Sequence, residues 1–387
     1  MTKNICVVTA TRAEYGLLKP LMDLINASNT LNLQLLITGA HLSPEFGLTY
    51  KLIEEDGFKI DEKVEMLLSS DSATGIVKSM GLGMTAFADS FERLKPTAIV
   101  ILGDRYEMLA AASAASVFKI PIIHLHGGEI TEGAYDDAFR HAITKLSHLH
   151  FTSTEEHRAR VIQMGENPDF VYNVGAIGLD SVFNLPLLTK KELEQDLDFK
   201  FKKYNYQVTF HPETLSEVSS AEQFKILLDA IEEQEDSFFV FTKANADTDG
   251  RIINSMIDSF VRENPERSRA FTSLGNLRYL SLLVQCNAVI GNSSSGIIEA
   301  PSLKVATINI GDRQKGRMQA KSVVNTRVNL NELRKAFLKV KNEDFKAMLQ
   351  EVENPYGSGQ TAERIFEVLK TISWKELVVK RFYNLNS

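Results

Sequence analysis

The sequence predicts an α/β protein with two domains, each built on a parallel sheet covered by helices. Short and almost wholly apolar runs, such as residues 4–10 and 98–102, are typical of strands buried on both faces. Helical patterns follow these runs after short loops, which is the order of a parallel sheet with crossover helices. The alternation stops near residues 185–198, at a Leu-Pro pair and a run of charges, and then restarts. The chain's 387 residues are enough for two domains of ordinary size.

The elements of the first domain follow in chain order. We predict strands at residues 4–10, 33–38, 60–65 and 98–102 and one from residue 122. Between them we predict helices at residues 17–28, from Gly39 to about residue 55, at 74–94 and up to residue 117. A further helix is expected to begin at the Asp136-Asp137 pair, because acidic residues favour a helix N-terminus.

The second domain repeats the pattern. We predict strands at residues 207–210, 238–242, 270–272, 288–291 and 305–308, with helices at 221–235, 252–261 and 277–286 and from about 294. Residues 361–379 again have helical spacing. We therefore expect residues 1–185 to form an N-terminal domain and 186–365 a C-terminal domain. The helical segment 366–387 is expected to pack back on the N-terminal domain.

Composition argues against several classes of function. The net charge is -7 and no basic block is present, so a nucleic-acid surface is not indicated. Cys6 and Cys286 lack metal-ligand spacing and fit a reducing, cytoplasmic compartment. No apolar run is long enough to span a bilayer, so we expect no membrane association. Neither a Walker loop nor a dinucleotide motif after a strand is present, and we expect no cofactor and no metal.

Polar residues follow the predicted strands of the first domain. Those that come just after a strand are Arg12, His41, Asp104, Arg105 and the loop 126–136. The carboxyl ends of parallel strands share one edge of a sheet, so we expect these side chains to converge. Helix capping alone would explain Asp104 and Asp136, but it explains the two arginines poorly because cations disfavour helix N-termini.

The loop 126–136 carries the densest set of titratable groups. It holds His126, two glycines, Glu129 and Glu132, and it then meets Asp136. Carboxylates and imidazoles this close shift one another's pKa values, which supplies an acid and a base that both work near neutral pH. A helix cap with a solvated loop is the alternative for any single residue. The group as a whole favours proton-transfer chemistry.

A second loop, residues 291–299, favours anion binding. A strand ends at Gly291, and three consecutive serines precede a helix, so backbone amides and hydroxyls can converge on phosphate oxygens. One serine would suffice as an N-cap. Glu299 is placed to accept hydrogen bonds from a ribose diol. His211, at a strand end, and Arg313, in a basic loop, are further candidate ligands, although a lone histidine is more often structural and such a loop can simply be solvated.

Together these motifs resemble the UDP-N-acetylglucosamine 2-epimerases, and most closely the hydrolysing branch of sialic and legionaminic acid biosynthesis. In order they are Thr11-Arg12-Ala13-Glu14-Tyr15-Gly16, Gly103-Asp104-Arg105, His126-Gly127-Gly128-Glu129, Asp136-Asp137-x-x-Arg140-His141, Phe210-His211-Pro212 and Gly291-Asn292-Ser293-Ser294-Ser295-Gly296. The resemblance implies two Rossmann-like domains facing across a cleft, the glycosyltransferase-B type of fold. It also implies UDP held mainly by the second domain, the sugar in the cleft, and a homodimer.

The resemblance implies a reaction by elimination. UDP leaves from C1 of the sugar, a C2 proton is taken, a glycal forms, and water then adds to give free N-acetylmannosamine. The implied catalytic residues are Asp104, His126, Glu129, Asp136 and His211. The implied UDP ligands are Arg12, Arg105, His211, Ser293, Ser294, Ser295, Glu299 and Arg313, with His41 and Arg140 on the sugar side. Positive potential and backbone donors would stabilise the departing diphosphate.

One position departs from the family pattern. Some members have a catalytic glutamate where this chain has His126, so either His126 or the nearby Glu129 takes that role. The expected substrate is UDP-N-acetylglucosamine. The alternative is UDP-2,4-diacetamido-2,4,6-trideoxyglucose, the diacetylbacillosamine substrate of the legionaminic route. The same fold would also suit a UDP-sugar glycosyltransferase or a UDP-sugar sensor without turnover, because a fold alone does not define a function.

Overall fold

The computed structural model describes residues 2–68, 72–130, 135–212, 218–243 and 250–385. These residues divide into two compact units. Unit 1 comprises the described residues up to 130, those from 135 to 180, and those from 359 to 385, whereas unit 2 comprises those from 181 to 358. The boundaries predicted from the sequence, after residues 185 and 365, lie a few residues beyond the two junctions.

The strands are β1 (Lys3–Thr9), β2 (Leu31–Thr38), β3 (Glu62–Val64), β4 (Ala98–Leu102), β5 (Ile122–Leu125), β6 (Leu149–Thr152), β7 (Val171–Asn173), β8 (Tyr204–Thr209), β9 (Ser237–Thr242), β10 (Ser268–Phe271), β11 (Ala288–Gly291), β12 (Ala306–Ile310) and β13 (Val323–Thr326). In the described part of unit 1 they form a parallel sheet of order β3-β2-β1-β4-β5-β6-β7. The described part of unit 2 has a parallel sheet of order β10-β9-β8-β11-β12-β13. In both units the strand order reverses beside the first strand, where α/β sheets commonly bind ligands.

The helices are α1 (Arg12–Asn26), α2 (Tyr50–Glu55), α3 (Ala73–Leu94), α4 (Tyr106–Val117), α5 (Tyr135–Leu146), α6 (Glu155–Gln163), α7 (Gly178–Asn184), α8 (Lys190–Asp196), α9 (Ser220–Glu232), α10 (Gly250–Glu263), α11 (Gly275–Val284), α12 (Ser295–Ile298), α13 (Leu330–Lys341), α14 (Glu343–Gln350), α15 (Thr361–Thr371) and α16 (Trp374–Leu377). Single 3-10 turns occupy Gly39–Leu42, Pro44–Phe46 and Pro168–Phe170. No helix in the described ranges is long and apolar enough to cross a membrane.

The sheet of unit 1 is buried on both faces, as its apolar strands predict. All five residues of β4 are buried. On one face of the sheet, the Ala-rich helix α4 packs against β4 and against α3, and its alanines allow a close approach. On the other face, Ile365 and Leu369 of α15 join Leu18 and Leu21 of α1 in one apolar cluster. The segment after residue 359 therefore packs as part of unit 1.

Several predicted boundaries were wrong for local reasons. Helix α1 begins at Arg12, not residue 17, because Thr11 and Glu14 form a capping box that satisfies the first amides of the helix. The charged run after residue 189 is helix α8, capped by Thr189 and Glu192, and it buries Leu193. The predicted helix after Gly39 is two 3-10 turns followed by the short α2. The predicted C-terminal helix breaks into α15 and α16.

Candidate active site

The strands of unit 1 bring most of the predicted residues to one edge of the sheet. Asp104 and Arg105 follow β4, His126 follows the neighbouring β5, and Asp136 and Arg140 lie on α5. Arg12 begins α1 directly after β1 and is exposed, and β1 pairs with β4. The loop residues 131–134, with Glu132, lie outside the described residues.

Arg140 is the centre of this group. Its guanidinium is 4% exposed and forms an ion pair with Asp104. It also donates to the carbonyl oxygen of His126 at 3.1 Å and lies 3.5 Å from a carboxylate oxygen of Glu129. A buried charge needs such partners, and a planar guanidinium can serve several acceptors at once. Arg140 thus connects the loops after β4 and β5 to helix α5.

Both ring nitrogens of His126 are occupied. Nε2 accepts the backbone N–H of Ile177 at 3.3 Å, so the proton lies on Nδ1, which is 3.0 Å from Glu129 Oε1. The residue has a φ of +64°, a left-handed conformation that is uncommon for a residue with a side chain. His126 is therefore held in one tautomer and one orientation.

Glu129 is buried, and neighbouring side chains contact both of its carboxylate oxygens. Besides His126 and Arg140, Ser153 donates its hydroxyl to Oε1 at 2.9 Å. The preceding Gly128 has a φ of +79°, and a Cβ there would lie 2.4 Å from the carbonyl oxygen of His157. Gly128 thus allows the loop to pack closely on α6, which fixes the glutamate.

Asp136 differs from the other carboxylates. Its side chain forms no hydrogen bond or ion pair with any described residue. Burial raises its pKa and so do the charges of Asp104 and Glu107, whereas Arg105 and Arg140 lower it. A carboxyl with a raised pKa and no fixed donor is suited to exchanging a proton, which is what a general acid or base requires.

Two buried glutamates beside this group were not assigned a role from the sequence. Glu107 on α4 is fully buried and receives two bonds from Arg105, at 2.9 and 3.1 Å. Glu14 accepts the amides of Ala10 and Thr11, and its pKa is raised to about 7, first by burial. The available signal for Glu107 was a charge among alanines of a buried helix, since a buried charge requires a partner.

The ring of His41 forms hydrogen bonds with two hydroxyl groups of unit 1. Its side chain is fully buried, with Nε2 3.2 Å from the hydroxyl of Thr9 and Nδ1 2.8 Å from that of Thr49. Burial lowers its pKa to about 4, so the ring is neutral at physiological pH. In this environment the ring connects β1 to the segment that precedes α2, and its contact with the sugar stays a prediction.

In unit 2, Asn292 organises the second predicted site. It is fully buried, its Oδ1 accepts the backbone N–H of His211 at 2.7 Å, and its Nδ2 donates to the carbonyl of His211 at 2.8 Å. The neighbouring Gly291 has a φ of +131°, and a Cβ there would lie 1.9 Å from the carbonyl oxygen of Thr209. The ends of β8 and β11 are therefore fastened side by side. Asn292 stood in the recognised motif but received no role from the sequence.

The remaining predicted UDP ligands surround this pair of strand ends. Ser293, Ser294 and Ser295 are half-buried at the start of α12, and Arg313 donates to the carbonyl of Asn292 at 3.0 Å. Burial, together with the charge of Arg313, lowers the pKa of His211 to about 4. Glu299 is the C-cap of the four-residue helix α12.

The two groups differ in chemistry. The group in unit 1 combines carboxylates, an imidazole and two arginines, which suits proton transfer next to developing negative charge. The group in unit 2 offers hydroxyls, loop amides and one arginine, which suits a phosphate. Within the described residues, no set of three or more His, Cys, Asp or Glu side chains has the geometry of a metal site.

Comparison with known proteins assigns a family to this arrangement. The family model described as UDP-N-acetylglucosamine 2-epimerase matches residues 23–370. The chain is 44% identical over 384 residues to the GDP/UDP-N,N'-diacetylbacillosamine 2-epimerase (hydrolyzing) of Campylobacter jejuni, covering 99% of each chain. It is 40% identical over 385 residues to the polysialic acid biosynthesis protein P7 of Escherichia coli, covering 99% of this chain and 98% of that one.

A solved structure confirms the predicted fold class. The crystal structure of UDP-GlcNAc 2-epimerase from Neisseria meningitidis bound to UDP-GlcNAc aligns with a TM-score of 0.79 at 19% identity, over 95% of this chain and 99% of that chain. The two parallel-sheet units are those of the glycosyltransferase-B type of fold. The chain belongs to the UDP-N-acetylglucosamine 2-epimerase family, in the hydrolysing branch that its motifs predict.

Proposed function

We propose that this protein converts a UDP-linked 2-acetamido sugar and water into UDP and the free sugar inverted at C2. The reaction class follows from the family and from the hydrolysing relative. The C1–O bond to UDP breaks as a proton leaves C2, which gives a glycal. Water then adds its hydroxyl to C1, and a proton is delivered to C2 from the opposite face.

The single observation that carries this proposal is the environment of Asp136. Its carboxyl has a raised pKa and no fixed partner among the described residues, beside Asp104, Arg105 and Arg140. We assign proton transfer at C2 to Asp136. Asp104 and Glu129 are engaged by Arg140, which supports a role in orienting the arginine rather than in exchanging protons. His126 shares its two nitrogens with Glu129 and Ile177, which supports a positioning role for it.

We assign the diphosphate to the loop of unit 2. The hydroxyls of Ser293 to Ser295 and the guanidinium of Arg313 lie together there, and the neutral His211 is fixed beside them. An uncharged imidazole can donate one hydrogen bond to a phosphate oxygen. Arg12 and Arg105, at the strand ends of unit 1, are assigned to the negative charge that develops as UDP departs.

For the sugar we propose UDP-2,4-diacetamido-2,4,6-trideoxyglucose. The support is the name of the relative that is 44% identical over almost the whole chain. UDP-N-acetylglucosamine is the second candidate, and the description of the matching family supports it. Because that relative's name also includes GDP, a GDP-linked form of the first sugar belongs in the comparison.

The test is incubation of the purified protein with each nucleotide sugar in deuterated water. We expect UDP and a free 2-epimer that carries deuterium at C2, with the higher kcat/KM for the diacetamido substrate. A higher kcat/KM for UDP-N-acetylglucosamine would make that sugar the substrate. If no nucleotide diphosphate is released from any of them, the proposal is wrong. Release that requires an added sugar or lipid acceptor would indicate a glycosyltransferase instead.

A further inference from the structure

The C-terminal segment, residues 378–385, is fastened to the far end of the helix that carries Asp136 and Arg140. The ammonium group of Lys380 donates to backbone carbonyls where α5 ends and to one carboxylate: Thr144 at 3.3 Å, Lys145 at 2.6 Å, Ser147 at 2.5 Å and Glu166 Oε2 at 2.7 Å. The last carbonyls of a helix have no partner within the helix, and a cation there also complements the helix dipole. Lys380 therefore completes the end of α5 from 236 residues away in the chain.

Glu166 holds this lysine in place. Its carboxylate is 3% exposed and also binds Lys145 at 2.6 Å and the Nε2 of His150 at 3.0 Å. Burial alone would raise the pKa of Glu166, but its hydrogen bonds to His150, Lys145 and Lys380 outweigh burial and lower the pKa to about 2. The carboxylate is thus charged at any physiological pH. A buried charge of this kind requires its cationic partners to stay in place.

The rest of the C-terminal segment packs against Gly165. Gly165 has a φ of +87°, and a Cβ there would lie 2.4 Å from the ring of Phe382. The carbonyl of the same glycine accepts the backbone N–H of Tyr383 at 2.9 Å. Lys145 lies 4.9 Å from the centre of the Phe382 ring. The position of the segment is therefore defined by its own contacts as well as by Lys380.

Helix α5 connects this end to the proposed catalytic group. Asp136, Arg140 and Thr144 are spaced four residues apart, so they lie along one face of the helix. Thr144 donates its hydroxyl to the carbonyl of Arg140 at 3.0 Å, and the hydroxyl oxygen of Thr144 is 3.2 Å from His124 Nδ1. Moving or loosening the end of α5 would therefore move Arg140 against Asp104 and Glu129.

We propose that Lys380 is a positioning residue for the reaction, which it serves by fixing helix α5 and thereby Arg140 and Asp136. The inference rests on the proposed function, because it takes Asp136 as the proton-transfer group. Lys380 itself lies at the opposite end of α5 from that carboxyl.

The first test is Lys380→Met, with Lys375→Met as the matched control. Lys375 is exposed on α16 and forms no ion pair with any described residue. We expect kcat of Lys380→Met to fall by about tenfold to a hundredfold, because small displacements of catalytic groups cost that much. KM should change little. Lys375→Met should behave as the unchanged protein.

The pH profile separates positioning from mere stability. Asp136 is faced by Asp104, Arg105, Glu107 and Arg140, and of these only Arg140 lies on the helix that Lys380 fixes. Arg140 lowers the pKa of Asp136, so a loosened Arg140 should shift the pH dependence of kcat assigned to Asp136 to higher pH. A loss of folded protein would reduce activity equally at every pH. An unshifted profile with an unchanged kcat per folded molecule would overturn the proposal.

A second variant covers the case in which Lys380→Met folds poorly. In Lys380→Cys, treatment with 2-bromoethylamine restores an amine of almost the same length, and the native Cys6 and Cys286 are buried and so protected. We expect kcat and the pH profile to return after this treatment. Folded, modified protein that stays impaired would contradict the role of the amine.

Hydrogen exchange separates this inference from the proposed function. If the unchanged protein has no epimerase activity, the proposed function fails. In that case faster exchange of the amides of residues 135–141 in Lys380→Met still supports the positioning of α5 by Lys380. Unchanged exchange of these amides refutes it.

Discussion

At the scale of single residues, the carboxylates near Arg140 separate into two kinds. Asp104 and Glu129 are ion-paired, whereas Asp136 keeps its carboxyl unpaired among the described residues and has a raised pKa. A paired carboxylate is stabilised in its charged form, so it gives up that pairing energy when it takes a proton. This difference favours Asp136 as the proton-transfer group, with Asp104 and Glu129 holding Arg140 in position beside it.

Asp136→Asn tests that division. We expect kcat to fall by about a hundredfold to ten thousandfold, because an amide can neither accept nor deliver the C2 proton. UDP affinity, measured by calorimetry, should stay the same, because we assign UDP to unit 2. The matched control is Asp137→Asn, the neighbouring carboxylate, which pairs with His141 at 3.4 Å. Full turnover in Asp136→Asn would refute the assignment.

Glu129→Gln tests the buried ion pair between Glu129 and Arg140. Glutamine has no negative charge and presents an NH2 group in place of one carboxylate oxygen, so the buried Arg140 loses an ionic partner and we expect a loss of about 2–4 kcal/mol in the free energy of unfolding. Urea titration measures this loss. The control is Glu156→Gln, because Glu156 pairs with Arg160 at 2.7 Å on the exposed side of α6, and that change should cost less than about 1 kcal/mol. An equal loss of unfolding free energy in the two variants would show that the buried pair of Glu129 and Arg140 adds no more stability than an exposed pair.

At the scale of elements, the two sites depend on how strand ends are joined. In unit 1 the side chain of Arg140 on α5 connects the loops after β4 and β5, and in unit 2 the side-chain amide of Asn292 connects the ends of β8 and β11. A backbone amide and a carbonyl that lose a buried partner cost free energy and leave the loop without a fixed conformation. The strand-end loops are therefore only as ordered as these cross-connections.

Asn292→Ala tests the joint in unit 2. Both polar groups of the His211 backbone lose their partner, so the loop of serines should lose its fixed position. We expect the Kd for UDP to rise about tenfold or more, which corresponds to about 1.4 kcal/mol. The control is Asn325→Ala, an exposed asparagine at β13 that bonds the side chain of Asn309. An unchanged Kd in Asn292→Ala would remove this loop from the proposed UDP site.

At the scale of the whole molecule, buried histidines make the protein sensitive to acid. Burial lowers the pKa of six of them from the ordinary 6.5: His41, His148, His157 and His211 to about 4, His124 to about 3, and His150 in the same direction. Between pH 6.5 and 4 the unfolded chain therefore binds protons that the folded chain does not. Stability from these groups is present above pH 6.5 and is lost as the pH falls.

The sensitivity should be greater in unit 1. Five of the six histidines lie there, and of the six only His211 lies in unit 2. Glu14, whose pKa is raised to about 7, opposes the trend, because it favours the folded state as the pH falls from 7 to its ordinary 4.5. Burial also raises the pKa values of Asp136 and Asp180, which act in the same direction as Glu14. Because three carboxyls stand against five histidines in unit 1, the carboxyls should reduce the effect without reversing it.

Urea titrations at pH 7.5 and 5.0 measure this difference. The single tryptophan, Trp374, lies in unit 1 and reports its unfolding by fluorescence, and hydrogen exchange reports unit 2. We expect the tryptophan transition to move to lower urea at pH 5.0, by more than the transition of unit 2. A larger shift in unit 2 would contradict the assignment of acid sensitivity to these histidines.

The sequence by itself determined the fold class and the family. Runs such as that of β4 are apolar enough to be strands buried on both faces, and β11 at Ala288–Gly291 was predicted to the residue, because these signals are local. Motif order identified the hydrolysing branch, which the comparisons confirm. Capping boxes at Thr11 and Thr189 were local signals too, and recognising them would have corrected the limits of α1 and α8.

Only the tertiary structure decided which groups are partners. No local pattern pairs Arg140 with Asp104, places the backbone N–H of Ile177 on His126, or brings Lys380 to the end of α5. The physical reason is that such contacts join segments far apart in the chain, and their energies depend on burial and geometry that only packing creates. Composition can place titratable groups near one another, but burial and pairing decide which of them is left to exchange a proton.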